Sequence, residues 1–291
     1  MLNLTAFREP ESNDTFEIAS ADGTTLFVRR WRTHSPDVRK GTALIVHGLG
    51  EHSGRYGHVA DVLNQAGFDV WAHDHRGFGR SGGARARIPE RNTLIEDTKL
   101  VFDELRKREA GSPPLLLGHS MGGAIAARAV TGGWIEPCAL VLSSPGLRSH
   151  INAPMRAIAR ALEVILPNMA VPHGLPLEKI SHDAGVLADS ATDPLNHALI
   201  SPRITNFILD AGEAAIHDAG SLKMATLLQA AGDDKLVDVS GAREFAARAP
   251  AGLCTLKVYD GLWHEIYNER EPHRSAVLAD LKDWLARTVL R

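Results

Sequence analysis

Ser120 stands between Gly118 and Gly122 in LLLGHSMGGAIAARA (Leu115 to Ala129), after a run of apolar residues and before a helix-forming stretch. In a G-x-S-x-G turn from strand to helix the serine is held in a strained backbone conformation, and small residues two before and two after it keep the neighbouring chain from clashing. The helix that follows directs the Met121 N–H, with the favourable potential of a helix N-terminus, at the space where an oxyanion would form beside the serine hydroxyl. The chemistry such a turn supports is nucleophilic acyl transfer. The bland alternative is a tight turn with an incidental serine, and the rest of the chain decides between them. A serine hydroxyl is a poor nucleophile at its ordinary pKa, so a histidine base and an orienting carboxylate must be found.

Where a nucleophilic serine sits on a strand–turn–helix of this kind, the acid and then the histidine follow it in the chain. His264 meets that requirement, in GLWHEIYNE (Gly261 to Glu269) after the last apolar strand. His119 is next to the serine but its side chain should alternate away, and His47 precedes it. The acid is Asp233 or Asp234 in GDDKLVD (Gly232 to Asp238); adjacent side chains on extended chain point oppositely, so only one can meet His264. Asp238 reads as a helix N-cap. A second oxyanion donor is expected from His47-Gly48-Leu49-Gly50, with Leu49 supplying its N–H and the glycines permitting close approach. The polar cluster that follows, Glu51, His52, Arg55 and Tyr56, is expected to brace this loop by salt bridge and hydrogen bond. His73 and His75 in HDHRGFGRSGG lack a matching ligand set, so no metal site is expected, and acyl transfer to water calls for no cofactor.

These residues need a scaffold that brings distant loops together. TFEIAS and TLFVRRW flank Asp22-Gly23 and read as a hairpin. Short apolar runs then follow at Thr42 to Gly48, Phe68 to Asp74, Pro114 to Ser120, Cys138 to Pro145, Ala225 to Gly232 and Leu253 to Gly261. Helical patterns separate most of them, at Val59 to Ala66, Thr93 to Glu109, Met121 to Val130, Ser240 to Ala249 and Pro272 to Leu290. This alternation predicts an α/β fold, a mostly parallel sheet of eight strands with helices on both faces. In such sheets ligands bind beyond the carboxyl ends of the strands, where every candidate residue falls. Between Gly146 and about Gly212 the alternation breaks, with prolines at 154, 167, 172, 176, 194 and 202. An inserted helical cap over residues 146–212 is expected, with 1–145 and 213–291 forming the core. Its best helix, APMRAIARALEVIL, carries Met155, Ile158, Leu162 and Ile165 on one face and Arg156, Arg160 and Glu163 on another. The apolar face is expected to pack on the core, with transient contact to a membrane or micelle through the cap as the alternative.

Composition narrows the partners. Lys+Arg 32 against Asp+Glu 35 gives a formal net charge of -3, so no electrostatic footprint for nucleic acid is present. Cys138 and Cys254 are far apart and show no metal-binding or disulfide pattern. MLNLTAFREPESNDTF has neither a basic nor an apolar signal region, so a cytoplasmic location is the expectation, peripheral to membranes where the cap touches lipid.

HGLGEHSGRY, DHRGFGRSGG, GHSMGG, DDKLVD and GLWHEIYNE, taken in that order from about Leu26 to Leu285, together resemble the monoacylglycerol lipase family of α/β-hydrolases. The resemblance implies the α/β-hydrolase fold with an inserted cap over a lipophilic tunnel. It also implies Ser120 as nucleophile, His264 as base and the Leu49 and Met121 amides as the oxyanion hole. The family acid lies in an Asp-x-[Leu/Ile]-Val context, matched by Asp234-Lys235-Leu236-Val237, which places the acid at Asp234. The implied partner is a small lipid ester, a monoacylglycerol split to fatty acid and glycerol. A lysophospholipase or broad carboxylesterase on the same triad is the runner-up, with Arg148, Arg156 and Arg160 available for a charged headgroup. A ligand-binding protein that has lost the chemistry is a reading from another class.

Overall fold

The computed structural model describes residues 14–33, 39–109 and 113–289. The N-terminal stretch read above for a signal lies largely outside them. Asp14–Ala19 (β1) and Thr25–Trp31 (β2) pair antiparallel, as the Asp22-Gly23 turn predicts. Gly23 takes φ 82, and the Asp22 carboxylate accepts the Ser20 hydroxyl at 2.5 Å and the Thr24 N–H at 3.0 Å, closing the turn. The chain then alternates strand and helix: Gly41–Val46 (β3), Gly57–Gln65 (α1), Phe68–His73 (β4), Thr93–Arg108 (α2), Leu115–His119 (β5), Met121–Thr131 (α3) and Leu140–Ser143 (β6).

After β6 come Ala153–Ile165 (α4), Val171–Pro172 (β7), Ala184–Thr192 (α5), Leu199–Ile200 (β8) and Pro202–His217 (α6). Thr226–Ala231 (β9), Val239–Arg248 (α7), Cys254–Tyr259 (β10) and His273–Trp284 (α8) complete the order. Beyond Trp284 the helix widens into a π-type turn to Val289, and the expected end at Leu290 lies outside the described residues.

The eight-stranded sheet runs β1-β2-β4-β3-β5-β6-β9-β10, antiparallel at β1, β2 and β4 and parallel from β4 to β10. This is the α/β-hydrolase arrangement. Its central strands are buried on both faces because successive side chains enter different cores. Leu44 and Val46 join the cluster beneath α2, α3, α6 and α7, while Ala43 and Ile45 join the one beneath α1 and α8. The carboxyl ends of β3, β5, β9 and β10 therefore lie along one edge.

Between β6 and β9 the chain adds helices outside the sheet, together with a two-stranded ribbon of β7 and β8 that the proline-rich sequence did not suggest. The helix α4 corrects an expectation. Met155, Ile158 and Ile165 are 55%, 54% and 72% exposed and Leu162 of the same face is half-buried, whereas Glu163 is 9% exposed. The buried Glu163 carboxylate is held by the Arg91 guanidinium at 2.8 and 2.6 Å and by Asn206 Nδ2 at 2.8 Å, so the polar face is the one docked on the molecule. A buried carboxylate is tolerable only with such partners. No helix among the described residues is long and apolar enough to cross a membrane.

Candidate active site

Ser120 sits between β5 and α3 at φ 53 and ψ -120, a region that L residues rarely adopt. The flanking glycines make it attainable. A Cβ on Gly118 would lie 2.4 Å from the Gly122 carbonyl oxygen, and one on Gly122 would lie 2.1 Å from that of Val46. Ser120 is tied at the top of the sheet by its N–H to Ser143 O at 3.1 Å and by its carbonyl to the Gly146 N–H at 2.8 Å.

His264 reaches over from the loop after β10. Its Nε2 accepts the Ser120 hydroxyl at 2.8 Å, and its Nδ1–H donates to Asp234 Oδ2 at 2.7 Å. An ionised carboxylate can only accept, so this second bond fixes the tautomer that leaves Nε2 free to take a proton. The other Asp234 oxygen accepts the N–H groups of Leu236 at 2.8 Å and Val237 at 3.0 Å. Burial favours the neutral acid at Asp234, but the His264 imidazole and these donors hold its carboxyl below the usual range. Burial also works against charge on His264, and Asp234 outweighs it with help from Glu265 and Glu51, leaving the imidazole above its ordinary pKa.

Of the two adjacent aspartates, Asp234 meets the histidine, while Asp233 turns outward to the Lys235 ammonium. Asp238 caps α7 by accepting the Ser240 N–H at 2.8 Å. His119 donates from Nδ1 to Ser143 O at 3.1 Å, and burial pushes its pKa down to about 4. His47 holds backbone: its Nδ1 bonds Gly48 O at 2.8 Å and its Nε2 accepts the His75 N–H at 2.9 Å.

The Leu49 and Met121 residues flank Ser120 in the same cavity, and neither backbone N–H has a hydrogen-bond partner among the described residues. The loop carrying Leu49 is braced as a unit. Glu51 accepts the Gly48 N–H at 2.5 Å and the Tyr56 hydroxyl at 2.7 Å, and Arg55 bonds Glu51 at 2.7 Å. Arg55 also takes Glu265, the residue after the histidine, in a bidentate pair at 2.8 and 2.7 Å. Sequence reasoning left Glu265 unassigned; its place beside His264 was the available signal. It likewise left Asp193, whose carboxylate bonds His52 at 2.7 Å and ties the segment after α5 to the same loop.

Two chambers meet at Ser120. One, of about 410 Å³, is lined by apolar side chains such as Leu147, Ile200, Ile208 and Val237. The other, of about 240 Å³, is mixed, with Arg55, Ser190, His197 and Glu265 beside Leu177, Ile180 and Leu236. His73 and His75 are in neither, and burial holds His73 down at about 3 and His75 well below its usual value.

Residues 37–271 match the family model Hydrolase_4, described as serine aminopeptidase, S33. The monoacylglycerol lipase of Mycolicibacterium smegmatis is 33% identical over 271 residues, covering 92% of this chain and 95% of that protein. The human monoglyceride lipase is 30% identical over 297 residues, covering 96% and 93%. Among solved structures, the monoacylglycerol lipase of Paleococcus ferrophilus matches with a TM-score of 0.81 and 29% identity, over 90% of this chain and 98% of that one. The chain belongs to the monoacylglycerol lipase family of α/β-hydrolases, within the serine aminopeptidase S33 group, and is a carboxylic ester hydrolase.

Proposed function

We propose that this enzyme hydrolyses monoacylglycerols to fatty acid and glycerol, with Ser120 as nucleophile, His264 as base and Asp234 as the orienting acid. The observation that carries the reading is the meeting, at Ser120, of a mainly apolar chamber and a smaller one with a larger share of polar groups. An ester with one acyl chain and a small hydroxylated alcohol fits that division, the chain in the larger chamber and the alcohol in the smaller.

Ser120 Oγ attacks the ester carbonyl carbon as His264 Nε2 removes its proton. The carbonyl oxygen, now an anion, receives the Leu49 and Met121 N–H groups, each such donor being worth about 3 kcal/mol. The tetrahedral intermediate expels the alcohol, whose oxygen takes the proton from His264. Water then attacks the acyl-enzyme by the same steps in reverse, releasing the acid and restoring Ser120. Water is the only co-reactant.

Residues 146–212 act as the cap over both chambers. The exposed apolar residues of α4, Ile158 and Ile165, with Met155 at the rim of the larger chamber, support transient docking on a micelle or membrane surface from which the substrate is drawn. A lysophospholipid is less well served. Arg148, Arg156 and Arg160, the cations available to a headgroup, are engaged by Glu244, Glu213 and Asp210.

The test is fatty-acid release from mono-, di- and triacylglycerol and lysophosphatidylcholine of one acyl length, with Ser120→Ala as the blank. The monoacylglycerol is expected to be preferred, and the substitution to lower turnover about a million-fold. Greater release from lysophosphatidylcholine would move the enzyme to the runner-up activity, and ordinary turnover by Ser120→Ala would remove the nucleophile assignment.

A further inference from the structure

His173 is a half-buried histidine from the ribbon that covers the site, and it lines both chambers where they meet beside Leu49 and Ser120. Its backbone is fixed by the N–H bond to Ala198 O at 2.8 Å, which continues the β7–β8 pairing. Its Nδ1 accepts the Leu175 N–H at 3.0 Å. Burial and the neighbouring His197 hold its pKa below the ordinary value, so the ring stays neutral. A neutral imidazole whose Nδ1 accepts must carry its proton on Nε2. That Nε2–H has no hydrogen-bond partner among the described residues. A Cβ built on Gly50 would lie 3.7 Å from it, so the donor stands against the loop that presents the Leu49 N–H.

The geometry points to a recognition role: the His173 Nε2–H donates to a hydroxyl of the leaving alcohol and makes the enzyme select esters of hydroxylated alcohols over simple alkyl esters. This rests on the monoacylglycerol reading above. A donor placed to meet a substrate hydroxyl discriminates because an alkyl ester has no hydroxyl to accept from it. Two neighbouring donors are already engaged. His197, the other histidine of this turn, spends its Nε2–H on Gly77 O at 3.0 Å and its Nδ1 on the Leu199 N–H at 3.2 Å. Thr205 spends its hydroxyl on Ser201 O at 3.1 Å. Of the described side chains that line both chambers, only Ser120 and His173 carry a polar hydrogen, so His173 is the donor at the junction open to substrate.

The experiment compares kcat/KM for 1-decanoylglycerol and methyl decanoate in the wild-type enzyme, His173→Phe and His173→Gln. Phenylalanine keeps the ring and removes the donor; glutamine keeps an N–H donor without the ring. His173→Phe is expected to lose about tenfold on the glyceride and nothing on the methyl ester, and His173→Gln to recover most of the glyceride activity. The methyl ester also reports that each variant is folded and its serine active. A variant that loses both substrates alike, or neither, overturns the assignment of His173 while leaving the monoacylglycerol reading in place. A wild-type enzyme that cleaves methyl decanoate and leaves the glyceride untouched overturns that reading, and this inference with it.

Discussion

His264 can accept the Ser120 proton only when its imidazole is neutral, so the charge around it sets the working pH. Burial lowers its proton affinity, and Asp234, Glu265 and Glu51 together raise it by more. The acid limb of kcat/KM is therefore expected above about pH 6.5, the ordinary histidine value, with activity climbing as pH rises through it. Asp234→Asn removes the carboxylate that contributes most and allows the wrong tautomer. Turnover should fall about 10⁴-fold and the residual acid limb should move to lower pH. A pH–rate profile of both proteins between about pH 5 and 9 measures this, and an unmoved limb would separate His264 from the Asp234 carboxylate. Much at this scale was legible because local chemistry constrains it. The Gly118 and Gly122 positions have no room for a Cβ, whereas the residues alone left the acid open between Asp233 and Asp234, and only the Asp-x-[Leu/Ile]-Val context of the resembled family pointed to Asp234. The position of Glu265 beside His264 hinted at a part in the site, but its partner was not legible, since Arg55 is 210 residues away in the chain.

At the scale of elements, the loops that carry the chemistry are held by one another rather than by their own helices and strands. The Glu51–Arg55–Glu265 chain joins the Leu49 loop to the His264 loop, and the His52–Asp193 bond joins the Leu49 loop to the segment after α5. The helix α4 marks the limit of periodicity as a guide. The spacing of its apolar residues correctly separates two faces, but amphipathicity does not say which face meets protein. Arg91, far away in the chain, and Asn206 bury the Glu163 face and leave the apolar one outside. The interfacial docking proposed for the exposed residues of α4 can be removed without disturbing the core. Ile158→Asp with Ile165→Asp is expected to lower fatty-acid release from vesicle-borne monoacylglycerol by about tenfold or more, each charge opposing insertion. Release from a dissolved short-chain monoacylglycerol should stay at the wild-type rate. Equal loss on both substrates would mean that the face serves packing or catalysis instead of docking.

The whole molecule carries a set of histidines kept neutral inside it, and this governs its response to acid. His47, His73 and His75 are fully buried and His119 nearly so. Desolvation is the chief cause at each, with His73 pushed down to about 3, His119 to about 4, and the other two well below the usual value. As pH falls through about 6.5 the unfolded chain binds protons on these side chains and the native chain does not, so stability is lost progressively below that pH. By pH 5 the loss amounts to about 2 kcal/mol each for His73 and His119, and His47 and His75 act in the same direction. His264 runs the other way: its raised pKa lets the native state take a proton first, which offsets part of the loss. Against a typical total of about 5–15 kcal/mol, the net effect should be a steep decline in stability between pH 7 and pH 5. His73 isolates the cause, because both ring nitrogens are buried without a partner among the described residues, and removing them sacrifices no hydrogen bond. His73→Phe is expected to shrink the pH 7 to pH 5 loss by about 2 kcal/mol in urea unfolding. Any cost of fitting the larger ring appears equally at both pH values and cancels from the difference. An undiminished loss in the variant would show that His73 takes up its proton in the native state, and that the buried histidine layer is not what makes this fold sensitive to acid.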